Sequence, residues 1–207
     1  MRTISLSLLT IACLMLAVAP AMAGTLYSNG PYNGTTDAWT INFGFSVSDS
    51  FTVPSNSSSG GLSFVYCDAS SSDVLTTVDM AIGSTSFGGT PQTLNGVNNN
   101  FLTTNQYGYF LYEATYNFVD IPWSGAGYVT LSNACSTSGC SVSNPIYWDE
   151  NSGPSSAYEN TLGSIPSEAF TLSGGCCPPP VPEPSSIMLF GSGILGLAGV
   201  LRRKLNR

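Results

Sequence analysis

Cys135 and Cys140 enclose Ser136-Thr137-Ser138-Gly139, a tight turn between two short strand-like stretches. Pairing across such a hairpin suits disulfide geometry, and an oxidising compartment favours the bond. Cys67, Cys176 and Cys177 also lie beyond the N-terminal leader, so one cysteine is left over. Cys176 and Cys177 could pair with Cys67, with each other in a strained ring, or with another chain. A zinc site would need four of these thiols, and their spacing matches no common finger. The densest set of oxygen ligands is Asp149-Glu150-Asn151-Ser152-Gly153, and Asp68 and Asp73 flank another loop. Calcium is the ion such oxygens hold in exported β-domains. Asx and Gly residues also make solvated turns unaided, so no cofactor is expected. Trp123, Tyr147 and Trp148 could stack on sugar rings, although strand aromatics ordinarily belong to a core.

The residues that are missing narrow the chemistry further. The chain has 207 residues, five Lys or Arg and no His. All five cations, Arg2, Arg202, Arg203, Lys204 and Arg207, lie at the two ends. Residues 24 to 181 contain none, yet they hold eleven of the twelve acids; the twelfth is Glu183. Phosphate backbones need cations to neutralise them, so nucleic acid is excluded as a partner of this stretch. Anionic lipid and acidic polymers are disfavoured for the same reason. A Ser-His-Asp triad, a Cys-His pair, a Schiff-base lysine or an arginine clamp cannot be built there. Paired carboxylates, as in glycosidases, are what remains. The eleven acids are scattered, mostly beside Ser, Asn, Gly or Thr. Asp149 and Glu150, if on a strand, point to opposite faces.

These residues must be positioned by strands. Gly, Ser, Thr and Asn abound, and no convincing helix precedes residue 185. Trp39, Ile41, Phe43 and Phe45 alternate with polar residues and should share one strand face. Further strands are expected at Leu62–Tyr66 after a loop at Ser55–Gly61, at Val74–Ile82 and at Tyr107–Val119. Three more are expected at Tyr128–Leu131, Ile146–Trp148 and Ala169–Leu172. Asn95–Asn105 reads as a loop or hairpin tip. Seven to ten short strands in about 150 residues predict one all-β domain, a jelly-roll-like β-sandwich spanning residues 24–173. Residues 174–181, Gly-Gly-Cys-Cys-Pro-Pro-Pro-Val, read as a linker, with prolines that hold it extended.

The two ends read as addresses. Residues 1–23 form a signal peptide: Arg2 supplies the positive region, Ile4–Ala19 the apolar region, and Ala21-Met22-Ala23 the small-residue site for signal peptidase before Gly24. At the other end, Val181-Pro182-Glu183-Pro184-Ser185 is a rigid motif, followed by the uncharged run Ile187–Leu201 and the basic tail Arg202-Arg203-Lys204-Leu205-Asn206-Arg207. A helix over 187–201 would be about 22 Å long, short of the roughly 30 Å hydrocarbon core, and could span if the basic side chains snorkel. The basic tail would stay cytoplasmic. Pro182-Glu183-Pro184, the apolar run and Arg202-Arg203-Lys204 occur in the order of the PEP-CTERM sorting signal, which residues 182–207 resemble. That resemblance implies recognition by an exosortase and cleavage near Pro182-Glu183-Pro184. It also implies release or attachment at the surface of a bacterium that makes exopolysaccharide and biofilm.

The expected product is an inner-membrane precursor that becomes a cell-surface or extracellular protein with a non-enzymatic structural or adhesive body. A carbohydrate-binding module for exopolysaccharide is the alternative, and a carboxylate glycosidase a third. An exposed platform of Trp123, Tyr147 and Trp148 would favour the second, two facing carboxylates in a cleft the third.

Overall fold

The computed structural model describes residues 24–34, 37–140 and 143–176. The expected signal peptide, the expected linker beyond Cys176 and the sorting signal with its apolar run lie outside the described residues. Within them the chain is all-β and forms a single antiparallel sheet. Its strands are β1 (Gly24–Ser28), β2 (Ala38–Thr40), β3 (Ser46–Asp68), β4 (Leu75–Gly83), β5 (Gln92–Leu94), β6 (Asn98–Thr104), β7 (Phe110–Ser136), β8 (Tyr147–Asp149), β9 (Ala157–Glu159), β10 (Gly163–Ile165) and β11 (Phe170–Cys176). The main path runs β1-β11-β3-β7-β4-β5. β6 adds to β7, β8 joins β2 to β3, and β9 joins β10 to β3. Among the described residues no helix is long and apolar enough to cross a membrane.

The frame is the pair β3 and β7, matched from Ser46↔Ser132 to Asp68↔Phe110. The expected loop Ser55–Gly61 is instead the bent middle of β3. Its register shifts twice, at Val53/Ser57 and Ser59/Gly61, and Asn56 takes a left-handed φ of 59°. Such irregularities bend a strand and re-aim its side chains. The apolar face changes phase across the bend: Val47, Phe51 and Val53 before it, Leu62, Phe64 and Tyr66 after it, all join one core cluster. The sheet therefore folds over a shared core. Trp148 sits at 0 % exposure in that core, against Phe64 and Phe170 at ring-centroid distances of 6.0 and 5.7 Å, with its Nε1 donating to the Ala169 carbonyl at 3.0 Å.

Four other expectations are corrected. The alternation from Trp39 to Phe45 is broken after Thr40: Phe43 takes φ 60° in a turn, and Phe45 is exposed while Ile41 is fully buried. Asn98–Thr104, read as loop, pairs with β7. The candidates Tyr107–Val119 and Tyr128–Leu131 are parts of the continuous β7, which starts at Phe110. The sheet also extends past residue 173, because Gly174, Gly175 and Cys176 pair with Ser59, Ser58 and Ser57. A side chain at Gly174 would collide with the Ser58 carbonyl, so a glycine that resembled linker is what lets β11 lie against β3.

Candidate functional site

A second, smaller apolar cluster lies on the other face of the frame. Val65 and Cys67 alternate with the core residues Phe64 and Tyr66, and join Leu111 and Ala169. Tyr32, Ala38, Leu102, Tyr109 and Tyr147 pack over them. Above this cluster opens a surface pocket of about 350 Å³, lined by Asp37, Ala38, Cys67, Asn105, Tyr107, Tyr109 and Tyr147.

Local chemistry sets each wall. β6 and β7 are joined by Asn105-Gln106-Tyr107-Gly108-Tyr109. Asn105 Oδ1 accepts the backbone N–H groups of Tyr107 and Tyr109, both at 3.0 Å, and Gly108 supplies the φ of 87° that the turn demands. The turn presents both tyrosines beside Tyr147, which β8 holds opposite Cys67 of β3. The Tyr109 and Tyr147 rings meet edge to face, with centroids 5.7 Å apart at 89°, while Tyr107 is 67 % exposed. Burial, then the neighbouring Tyr109, raises the Tyr147 hydroxyl pKa. At the floor, Cys67 Sγ donates to Asp149 Oδ1 at 3.5 Å. Burial and Asp149 hold the thiol protonated, so it is no nucleophile. Burial likewise lifts Asp149 to about 6. Among the described residues Asp37 is the carboxylate that lines the pocket; its Oδ1 accepts the Ala38 N–H at 3.0 Å.

The residues singled out from sequence do not converge. Trp148 is core, Trp123 packs on Phe51 with ring centroids 6.0 Å apart, and only Tyr147 reaches the pocket. Asp149 is buried, while Glu150 points elsewhere and accepts the Trp39 Nε1–H at 3.3 Å. Among the described residues no three His, Cys, Asp or Glu side chains are grouped to hold a metal. Cys135 and Cys140 form the expected disulfide, and Cys67 and Cys176 are free thiols. Ala21, Ala23, Pro182, Glu183, Pro184, Arg202, Arg203 and Lys204 lie outside the described residues. Gly24 opens β1.

The acids depart furthest from expectation. Asp49, Asp68, Asp73, Asp149, Glu159 and Glu168 are buried rather than solvated in loops. Glu168 is 0 % exposed, and neither carboxyl oxygen has a hydrogen-bond partner. Burial, reinforced by Asp49, Glu150 and Asp149, raises its pKa well above the ordinary value. Asp49 is lifted by burial to about 6, although it accepts the Glu168 N–H and Ser155 Oγ–H, both at 2.8 Å. Asn29 completes this lock by donating to Ser155 Oγ at 2.6 Å and to the Glu168 carbonyl at 2.7 Å. The lock ties the end of β1 to β3 and β11.

Tyr107, Tyr109, Asn105 and Asp37 were missed as site residues. The available signal was the Asn-x-Tyr-Gly-Tyr spacing, in which Asn and Gly make a turn that presents two tyrosines. Among curated proteins none matches the chain. Residues 180–204 match the PEP-CTERM protein-sorting motif. The all-β body is thus joined to the signal by which exosortase systems sort proteins to the cell surface, and the chain carries the PEP-CTERM sorting motif of an exosortase substrate.

Proposed function

We propose that the chain delivers a non-enzymatic adhesive body to the cell surface, and that this body holds extracellular saccharide in the tyrosine pocket. The observation that carries this reading is the pocket wall of Tyr107 and the edge-to-face pair Tyr109 and Tyr147, with Asp37 and Asn105 as polar partners. Aromatic faces pack against the C–H faces of sugar rings, and a few convergent polar groups fix orientation. Among the described residues one carboxylate and a protonated thiol line the pocket, which supports binding over turnover; glycoside hydrolysis uses a pair of carboxylates. The curved sheet over one core fits a sandwich-like body. Exopolysaccharide made by the producing cell is the proposed ligand, and its neutral or basic polymers suit a body without cations. Signal peptidase would remove residues 1–23, and the stretch 187–201 would hold the precursor in the inner membrane until an exosortase acts. The fold is proposed to need no calcium.

Glycan binding by the exported protein, measured by calorimetry with and without calcium, tests this reading. Saturable binding without release of reducing ends is expected, unchanged by calcium. Tyr147→Ala is expected to weaken it by about tenfold. Release of reducing ends abolished by a single Asp or Glu substitution would overturn the non-enzymatic reading.

A further inference from the structure

The chemistry of the pocket narrows its ligand beyond saccharide in general. Tyrosine ring faces carry the negative side of the aromatic quadrupole, and three tyrosines, Tyr107, Tyr109 and Tyr147, line this pocket. Asp37 adds a formal negative charge on an exposed wall, and Asp149 lies behind Cys67 at the floor. No Lys, Arg or His exists between residues 24 and 181 to neutralise Asp37. The field in the pocket is therefore negative, without an internal counter-ion. A neutral sugar would use the rings and leave Asp37 as one more hydrogen-bond acceptor. A positively charged nitrogen would use the rings, the carboxylate and the field together. The volume, about 350 Å³, takes a substituted ammonium group or one sugar residue bearing an amine.

We propose that the pocket formed by Tyr107, Tyr109, Tyr147 and Asp37 binds an organic ammonium group. This deepens the saccharide reading, since the two share one pocket: the natural bearer would be a polymer with free amino sugars. A small quaternary ammonium compound presents the same chemistry, and the test separates the two sources.

The exported protein, recovered from the cell exterior, would be titrated at about pH 6, where primary amines are protonated. The probes are a glucosamine hexamer, its fully N-acetylated counterpart and tetramethylammonium chloride, each at matched ionic strength against sodium chloride. The glucosamine hexamer is expected to bind at least about tenfold more tightly than the acetylated one, with tetramethylammonium competing for the site. Added salt should weaken the first complex and spare the second. Asp37→Asn is expected to weaken glucosamine binding by about tenfold and to erase the preference. Tyr147→Phe, which keeps the ring, should bind like the parent, and Tyr147→Ala should not. An unchanged melting midpoint establishes that a variant is folded; if one fails this check, the preference of the unmodified protein decides alone. Equal or tighter binding of the acetylated hexamer would overturn the ammonium proposal and leave the saccharide reading standing. Binding of tetramethylammonium with neither hexamer bound would uphold the ammonium proposal and overturn the saccharide reading. Binding of none of the three would overturn both.

Discussion

Acidification from about pH 8 to pH 5 is expected to stabilise the body, raising its melting midpoint by roughly 5–15 °C. Asp49 and Asp149 titrate near 6 in the folded protein, and Glu168 well above its ordinary range. Burial drives all three upward, and no cation of the body compensates. An acid whose folded pKa exceeds its unfolded one binds protons more tightly in the native state. Its contribution is therefore fully present below about pH 4, the unfolded value, and is lost as pH rises through the folded value. Asp49 and Asp149, both raised to about 6, therefore favour the folded state most below about pH 4 and lose that contribution between about pH 4 and pH 7. Two acids oppose this trend. Burial pushes Asp73 and Glu159 up, but hydrogen bonds, from Thr137, Ser138 and Ser136 to Asp73 and from Thr161 and Leu162 to Glu159, outweigh it and lower both. Their contribution disappears as pH falls below about 4, so the optimum should lie near pH 4–5. Glu168→Gln is neutral in both states and should narrow the gap between the midpoints at pH 8 and pH 5. Thermal unfolding of both proteins at the two pH values checks this. A midpoint that climbs from pH 5 to pH 8, or an undiminished gap in the variant, would contradict the account of the buried acids.

Trp148→Ala is expected to destabilise the body by about 3–5 kcal/mol, a large part of the stability of a single domain. The side chain is fully buried between Phe64 and Phe170, on a strand of only three residues that joins β2 to β3. Its removal leaves a cavity where these elements meet and takes one of two donors from the Ala169 carbonyl, which keeps the Val65 N–H at 3.1 Å. Trp123→Ala should cost about 1–2 kcal/mol, because that ring is half-buried at the margin of the same cluster and its Nε1–H only closes a local turn onto Ala126. Urea unfolding of the two variants separates these roles. Comparable losses, or improved folding without Trp148, would contradict the placement of this residue as the centre of the core.

The all-β class was legible because composition and alternation are local properties. The Cys135–Cys140 bond was legible because both ends sit on one short turn. The architecture of β3 was not: Pro54, Asn56 and Gly60-Gly61 carry turn chemistry, and only long-range pairing with β7 and β11 makes them a bent strand. The linker reading of Gly174-Gly175-Cys176 failed for the same reason, since a glycine that admits a neighbouring backbone looks locally like a flexible one. Acids beside Ser and Asn looked solvated, yet Asp49 and Asp73 are surrounded by hydroxyl and amide donors that let them be buried without cations. The pocket was half legible. Tyr147 was singled out, but the partner it needed came from the β6–β7 turn, forty residues earlier in the chain, rather than from Trp148 beside it.

The most direct test of the account is the intact mass of the protein recovered from the cell exterior. Cleavage at the expected Ala21-Met22-Ala23 site, together with processing at the sorting motif at residues 180–204, would define the mature species. The account predicts a mass beginning at Gly24 and ending near Pro182-Glu183-Pro184, with Cys135 and Cys140 two hydrogens lighter than as free thiols. A mass that retains Ile187 to Arg207 in most molecules would contradict it.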